Sequence, residues 1–402
     1  MKALAALLSW LAQLGATRLA FGAVAAAALA GLLLLRLERR GRAGLGPAAT
    51  IVLLAIGLAF APGARPGTQL LLIGLVIAAL ARDADELLHG ECALKLLWVL
   101  GSALALSWAG QELLTLSTGT TYVIEQWSVL GLGLDPEFLW STALPLSLLI
   151  GVVLLGVAPF HFWLADMFEG VRPWLAPLAV ATLQTCGAAW LGARLHSVSE
   201  FAPGASLAWS LLRMAALIAF LAGAATLLAQ RRPERRVGTL ASLNGALVLA
   251  LVASGRELDP RWILAWASHQ ALALTGASTL ARLLPVSTPA GVGAPLMRRH
   301  SFAAVAGLAA LFSLAGMPGT PGSRMWLETA TALGRGGHLE ILGGLGIAWL
   351  AALWRAIEQL REAYGTPGPA REPVRAVPLA ARAAIAISGL GLIGLALAHW
   401  SP

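Results

Sequence analysis

Residues 144–200 combine an apolar helix, a proline and ionisable side chains. Pro159 must interrupt the helix because proline lacks a backbone N–H and clashes with the preceding turn. His161 and Asp166 follow this interruption. In a bilayer, an imidazole and a carboxylate beside a helix break can take up, hold and release protons, and such groups usually mark function. Composition alone predicts the alternative equally well, namely a helix end with an interfacial belt of aromatic residues.

Four further ionisable residues lie in or beside apolar segments and could extend a proton path: Glu125, His269, Arg324 and Glu328. Each also has a structural interpretation, and for each of them the structural interpretation is favoured. Glu125 could end a helix in solvent, and His269 could be a buried, hydrogen-bonded histidine, which is the more frequent role. Arg324 and Glu328 have the i, i+4 spacing of an ion pair and could fix the end of a helix.

The composition identifies the class of protein. Of the 402 residues, 58% are hydrophobic and 12% are charged, and a soluble chain carries about twice that share of charge. The mean hydropathy of +0.77 agrees with this, and together these values predict an all-α, polytopic protein of the lipid bilayer. The net charge of +8 comes from arginines clustered between apolar segments. That is the positive-inside pattern, so we exclude a nucleic-acid partner.

No pattern in the sequence predicts a catalytic centre. A phosphate-binding loop, a nucleophile elbow, a metal cluster and haem-ligand spacing are all missing from the sequence, which therefore predicts no cofactor. Cys92 and Cys186 lie in or beside apolar stretches, as packing residues do. Met1–Gly15 resembles a signal peptide, but no convincing cleavage site precedes the next span, so we interpret it as a retained helix that is interfacial or partly inserted. No catalytic chemistry is therefore expected in this chain.

A helix that crosses a bilayer needs roughly 17–25 apolar residues, and segments of about this length recur along the chain, although some, such as 48–61, are shorter. The predicted spans are 19–35, 48–61, 68–81, 93–108, 139–158, 174–195, 207–229, 237–254, 263–284, 302–316 continuing as 323–333, 339–360 and 383–399. The positive-inside rule places five basic connections in the cytoplasm, near 36–42, 82–95, 231–236, 282–299 and 355–382. An even number of crossings must join the second and third of these connections. Residues 112–138 should therefore add no net crossing, which gives about 12 crossings, or about 13 helices with that segment included.

Two apolar helices are interrupted, one at Pro159 and one at Pro318–Gly322. Discontinuous helices at corresponding positions in two halves of a chain are typical of inverted repeats. We therefore predict two such repeats, each with one proline-interrupted helix. The predicted divisions are N-terminal helices in 1–66, a first repeat in 67–200, a second repeat in 201–360, and a connection with a final helix in 361–402.

Three motifs carry a resemblance to a known family. Residues 158–170 read A-P-F-H-F-W-L-A-D-M-F-E-G, which resembles the A-P-F-H-F-W-x-P-D-V-Y-E-G signature of antiporter-like membrane subunits. Residues 313–322 read S-L-A-G-M-P-G-T-P-G and resemble the family's S-L-x-G-x-P-G-T-x-G helix break, and the basic run at 228–237 resembles the loop before its tenth helix. The similarity covers about residues 67–400. It is closest to the N-type subunit of bacterial respiratory complex I, within a set that includes Mrp antiporter subunits.

The resemblance implies a row of charged residues at the membrane midplane that carries protons, and this chain departs from it. Matched through the motifs, the family's relay positions fall on Thr121, Leu154, Gln184 or Thr185, Asn244–Gly245 and Trp326, instead of on lysine, glutamate or histidine. The family's sixth helix also has no counterpart, since about a dozen residues separate the segments around it. A leucine or a tryptophan can neither hold nor pass a proton, and a neutral side chain lacks the tunable pKa of a buried lysine.

We therefore expect a diverged antiporter-like subunit of a complex I-related or Mrp-related assembly in the bacterial cytoplasmic membrane. Its expected partners are other membrane subunits, and its expected role is structural, with the usual proton relay lost. One alternative is a proton or cation path rewired through Glu125, His269, Arg324 and Glu328. Another is an unrelated secondary transporter, which would require a midplane cavity with several polar groups.

Overall fold

The computed structural model describes residues 16–38, 45–61, 66–82, 87–122, 125–126, 137–195, 205–283, 301–364 and 378–397. These ranges contain fourteen α-helices and no strand. In chain order the helices are α1 (Ala16–Glu38), α2 (Leu45–Phe60), α3 (Pro66–Arg82), α4 (Leu87–Thr118), α5 (Glu137–Leu155), α6 (Phe162–Gly170), α7 (Ala176–Leu195), α8 (Ser206–Ala229), α9 (Pro233–Ala253), α10 (Pro260–Leu283), α11 (Ser301–Leu314), α12 (Pro321–Arg335), α13 (Leu339–Tyr364) and α14 (Leu379–Leu397).

The predicted fold class is confirmed: the chain is an all-α, polytopic membrane protein. By length and composition, five of the described helices can cross a membrane on their own, namely α4, α8, α9, α13 and α14. Five shorter apolar helices accompany them, within α1, α2, α3, α5 and α11. If each interrupted pair, α5–α6 and α11–α12, is counted as one element, the fourteen described helices form twelve units. The number of membrane crossings remains a prediction.

The segment 112–138 is only partly described. Residues 112–118 continue α4, which ends where Gly119 adopts a positive φ of 70°. Its polar side chains are tolerated there because several of them donate hydrogen bonds to carbonyls of the preceding helical turn, as Thr115 and Thr118 do. Residues 127–136 lie outside the described part of the chain, as do Met1–Gly15 and most of the connection 361–382.

Helix α9 forms the centre of the bundle. The most apolar stretch of 18 residues in this helix is fully buried. In the other four long apolar helices, 28–39% of the corresponding stretch is buried. Helices α7 and α10 are also buried along nearly their whole lengths. Large apolar side chains on outer helices remain exposed, for example Trp98 on α4 and Leu350 on α13. Such surfaces suit hydrocarbon rather than water, so the outer helices face lipid or neighbouring membrane proteins.

The two predicted helix interruptions are both present. Helix α5 ends at Leu155 and α11 ends at Leu314, and each is followed within two residues by a glycine of positive φ: Gly156 (66°) and Gly316 (72°). Glycine suits this left-handed backbone because it carries no Cβ. The close approach requires it as well: a Cβ on either glycine would lie 2.4 Å from a side-chain carbon of the second half-helix. The proposed division into inverted repeats remains a prediction.

Candidate functional site

The first helix break leaves a carbonyl without its usual partner. In a continuous helix the carbonyl of Leu155 would accept from the N–H of residue 159, but Pro159 has no N–H. Gln184 of α7 supplies the missing donor: its Nε2 donates to the Leu155 carbonyl at 2.9 Å and to the Ala241 carbonyl of α9 at 2.9 Å. Gln184 is fully buried, so the amide ties the end of α5 to α7 and α9 inside the bundle.

The second break repeats this arrangement with a different amide. Residue 318 is also a proline, so the carbonyl of Leu314 loses its helical donor in the same way. Asn244 of α9 replaces it, because its Nδ2 donates to the Leu314 carbonyl at 2.9 Å and to the Leu240 carbonyl of its own helix at 2.9 Å. Asn244 is fully buried as well. Each broken helix is therefore completed by one neutral side-chain amide from a central helix.

His269 of α10 contacts the second break from its other side. Its Nε2 lies 2.8 Å from the Ser313 hydroxyl, which also accepts the backbone N–H of Gly322 at 3.1 Å. Ser313 belongs to α11 and Gly322 to α12, so this hydroxyl joins both half-helices to α10. A Cβ on Gly322 would lie 1.7 Å from the Ser313 carbonyl oxygen, so the two half-helices approach too closely for any larger residue.

These side chains form a central polar row across α7, α9, α10 and α11. We define it as Gln184, Thr185, Asn244, His269, Gln270 and Ser313, all fully buried. His269 is its one ionisable member; the others are amides and hydroxyls. Several of its buried polar atoms have no partner among the described residues: Gln184 Oε1, Asn244 Oδ1, His269 Nδ1 and both terminal atoms of Gln270. Buried polar atoms in proteins usually find a protein or water partner, so these atoms are suited to binding internal water.

The positions matched to the family's relay are otherwise apolar or peripheral. Leu154 is buried against Gly187, where a Cβ would lie 2.9 Å from the leucine Cβ. The Thr185 hydroxyl donates to the Ala181 carbonyl of its own helix. Trp326 is fully buried and stacks on Trp349, with ring centroids 5.7 Å apart. Thr121 is exposed beyond the end of α4.

The ionisable candidates do not form one cluster. Glu125 is exposed and accepts a hydrogen bond from the Thr120 hydroxyl at 2.6 Å. Glu328 forms an ion pair with Arg256 at 2.5 Å, not with Arg324, which is exposed. Of the six candidates, only His269 lies in the bundle interior. The i, i+4 spacing of Arg324 and Glu328 is thus overridden by a tertiary contact.

Asp166 in the middle of α6 and Glu169 near its end belong to a charged cluster. Asp166 pairs with Lys95 of α4 at 3.0 Å and with Arg235 of α9 at 3.2 Å. Glu169 pairs with Arg235 at 2.6 Å and with Arg232. Three basic connections predicted to share one side of the membrane thus meet here, because Arg282 of α10 also donates to the Val171 carbonyl at 2.8 Å.

His161 stands apart from this cluster. Its Nε2 lies 3.3 Å from the Thr226 hydroxyl of α8, and its Nδ1 is buried without a partner among the described residues. The ring is half-buried between the break and α8. The retained signature therefore positions α6 through charge pairs and polar contacts, and its two ionisable candidates contact different helices.

Replacing Asp166 with asparagine should destabilise the fold by about 1–2 kcal/mol, because partly exposed ion pairs contribute about 1 kcal/mol or less each and this carboxylate makes two. The loss should shrink in high salt, which screens such pairs. Thermal unfolding of Asp166→Asn and of the unchanged protein at low and high ionic strength measures it. A loss that does not respond to salt would contradict an electrostatic role.

Sequence reasoning missed the amide caps. It identified Gln184 and Asn244 only as places where a charged residue is absent. The sequence does indicate that caps are needed. Pro159 and Pro318 follow Leu155 and Leu314 by four residues and have no N–H, so the carbonyls of these two leucines must lack their helical donors. The sequence does not indicate which residue supplies the donor, because the partner lies on another helix.

Comparison with known proteins identifies similar sequences. No protein-family model matches the chain. NADH-quinone oxidoreductase subunit N of Anoxybacillus flavithermus is 27% identical over 267 residues, covering 64% of this chain and 53% of that protein. NADH-quinone oxidoreductase subunit N 2 of Roseiflexus castenholzii is 27% identical over 272 residues, covering 59% and 49%. The chain thus matches about half the length of these two relatives.

Solved structures share the fold along nearly the whole chain. One of them is a chain of respiratory complex I from Thermus thermophilus, solved with bound aureothin, which matches with a TM-score of 0.71 at 21% identity. The match covers 95% of the present chain and 84% of the complex I chain. A chain of the Mrp complex from Dietzia sp. DQ12-45-1b has a TM-score of 0.70 at 15% identity, covering 95% and 83%. A chain of an archaeal membrane-bound sulfane sulfur reductase has a TM-score of 0.69 at 14% identity, covering 87% and 72%. The two sequence relatives, together with this shared fold, confirm the predicted resemblance to antiporter-like membrane subunits.

Proposed function

We propose that this chain is a diverged antiporter-like membrane subunit of a multi-subunit complex, with a structural role and without the usual proton relay. The observation that carries the proposal is the use made of Gln184 and Asn244. Each lies at or next to a position where the family places a proton-carrying side chain, since the match falls on Gln184 or Thr185 and near Asn244–Gly245. Each donates its amide to the carbonyl that a helix break leaves without a donor. The bent helices of an ion carrier are thereby kept and held by groups that do not titrate.

The chemistry of these groups argues against a relay. A proton relay needs side chains that change protonation within reach of one another or of bridging water. Amides do not titrate in the physiological range, and neither does Leu154 or Trp326. His269 is the one ionisable side chain of the central polar row, and Asp166 belongs to a separate cluster of ion pairs with Lys95 and Arg235. A single buried imidazole does not make a continuous relay.

The proposed partners are other membrane subunits of a complex I-like or Mrp-like assembly, together with the bilayer itself. The exposed apolar faces of the outer helices support this, since they would be covered by lipid or by neighbouring transmembrane helices. The proposed location is the bacterial cytoplasmic membrane, in line with the bacterial relatives. No catalytic chemistry is expected in this chain.

Reconstitution tests the loss of proton transport. In sealed liposomes with an imposed potential, we expect the purified chain to move protons no faster than protein-free liposomes, measured with a trapped pH-sensitive dye. A protonophore added at the end shows that the vesicles are sealed. Rapid flux that His269→Ala or Glu125→Gln abolishes would refute the structural role.

One observation favours the alternative, a proton or cation path by a rewired route through Glu125, His269, Arg324 and Glu328. The central polar row contains buried atoms without a described partner, which internal waters could join into a chain. Such a line of waters would reach His269, and the path would need Glu125, Arg324 and Glu328 to connect it to the two membrane surfaces. The flux assay separates the two hypotheses, since only this path requires His269.

A further inference from the structure

A cavity of about 600 Å³ opens between the C-terminal ends of α9 and α12. Pockets for small molecules typically measure about 300–1,000 Å³. The lining residues are Ser254, Gly255, Arg256, Glu328, Thr331, Ala332, Arg335 and Gly336. Ser254 directly follows the membrane-spanning helix α9, so the cavity lies at the depth of the lipid head groups on the side away from the charged cluster of Asp166. None of these residues has a part in the structural role proposed above.

Both oxygens of the one carboxylate in the cavity already have a partner. Glu328 Oε1 accepts from Arg256 at 2.5 Å, and its Oε2 accepts from the Trp262 indole N–H at 2.9 Å. Arg256 contacts Glu328 through one terminal nitrogen, whereas its guanidinium carries five N–H donors in all. The Arg256 guanidinium, 36% exposed, therefore keeps free donors beside the cavity.

Arg335 is the second cation of the cavity. It lies in the last turn of α12, is exposed, and forms no ion pair with any residue that the structure describes. The negative end of a helix dipole favours a basic residue there. The dipole accounts for a basic residue in the last turn of α12, but not for its position in the lining of this cavity. Arg256 already neutralises Glu328, so Arg335 adds a positive charge that no carboxylate of the cavity balances. Two arginines and one glutamate leave a net charge of one positive unit on the cavity wall.

We propose that this cavity binds a phosphate-bearing anion between Arg256 and Arg335. Guanidinium groups pair with phosphate oxygens through two parallel hydrogen bonds, which makes arginine well suited to recognise this anion. The anion could be the phosphodiester of a membrane lipid or inorganic phosphate. Apolar surface close to the cavity in sequence fits the lipid: Leu327 precedes the lining residue Glu328, Leu339 follows the lining residue Gly336 by three positions, and they are 53% and 68% exposed.

Lipid binding to the intact protein tests this proposal. Native mass spectrometry measures the binding of phosphatidylglycerol and of zwitterionic phosphatidylcholine to the purified chain, the Arg335→Gln variant and the Arg324→Gln variant. Arg324 is a matched control, since it is an exposed arginine of the same helix that does not line the cavity. We expect Arg335→Gln to weaken phosphatidylglycerol binding about tenfold, the loss of one charge-assisted hydrogen bond, with little change for Arg324→Gln.

Inorganic phosphate separates the two sources of the anion. If phosphate displaces the lipid and binds with the same dependence on Arg335, the site takes the soluble anion. If phosphate does not compete, the site takes the lipid. Either result supports a phosphate site. The proposal would be overturned if Arg335→Gln and Arg324→Gln weakened phosphatidylglycerol binding equally. It would also be overturned if neither phosphatidylglycerol nor phosphate bound in a way that depends on Arg335.

Discussion

Replacing Gly322 with alanine should destabilise the protein by about 3 kcal/mol or more, at the upper end of what overpacking costs. The added Cβ would lie 1.7 Å from the carbonyl oxygen of Ser313 and 3.2 Å from Nε2 of His269. The first of these atoms is backbone, so it cannot rotate away as a side chain can. Relief requires α11 and α12 to separate, which also breaks the hydrogen bond from the Gly322 N–H to the Ser313 hydroxyl.

Gly334 provides a matched control for this substitution. It lies on the same helix, and a Cβ there would meet no atom within 4 Å. Alanine is the better helix former, so Gly334→Ala should be neutral or stabilising by up to about 1 kcal/mol. Thermal unfolding of both variants in the same detergent, followed by tryptophan fluorescence, measures the difference. A Gly322→Ala protein as stable as Gly334→Ala would show that the second break is not closed as described.

Removing both amide caps should have the second large effect. In the double variant Gln184→Leu with Asn244→Leu, the carbonyls of Leu155 and Leu314 lose their donors inside an apolar bundle. A buried polar group left without a partner costs about 1–3 kcal/mol, so the pair should cost roughly 2–6 kcal/mol. Leucine is close in size to both amides, which limits any contribution from a new cavity.

The control for the amides is Thr185→Val, on the same helix as Gln184. The hydroxyl of Thr185 donates to the Ala181 carbonyl one turn earlier. Its removal therefore takes no donor away from the carbonyls of Leu155 and Leu314 at the helix breaks. We expect a loss within about 1 kcal/mol, the net value of one hydrogen bond. Chemical unfolding in mixed micelles compares the variants. If the double variant and Thr185→Val lose equal stability, the amides do not cap the breaks.

The spans and the breaks could be predicted because their causes are local. Transfer of an apolar segment into a bilayer sums over some 20 neighbouring residues, so a run such as 207–229 predicts α8 almost to the residue. A proline removes its own N–H wherever it stands, so Pro159 predicts an interruption without knowledge of the surroundings. The prediction for 112–138 was less clear, because a polar segment can either extend a helix or leave it.

The contacts of the site could not be predicted because their causes are distant in sequence. Gln184 meets carbonyls 29 and 57 residues away, and Asn244 meets one 70 residues away. Glu328 shows the same limit, since its partner is Arg256 and not Arg324, the arginine four residues before it. Sequence spacing describes one helix at a time, whereas these hydrogen bonds and ion pairs depend on how the helices pack together.

The bond between Asn244 and Leu314 also sets an order of events during synthesis. The two residues are 70 positions apart, which at about 5–20 residues per second corresponds to about 4–14 s of translation. Helix α9 is therefore synthesised before its most distant partner. Of the two carbonyls that accept from Asn244 in the folded chain, only that of Leu240 exists during this interval. The most enclosed helix of the bundle is thus complete before the segment that supplies its second acceptor has been translated.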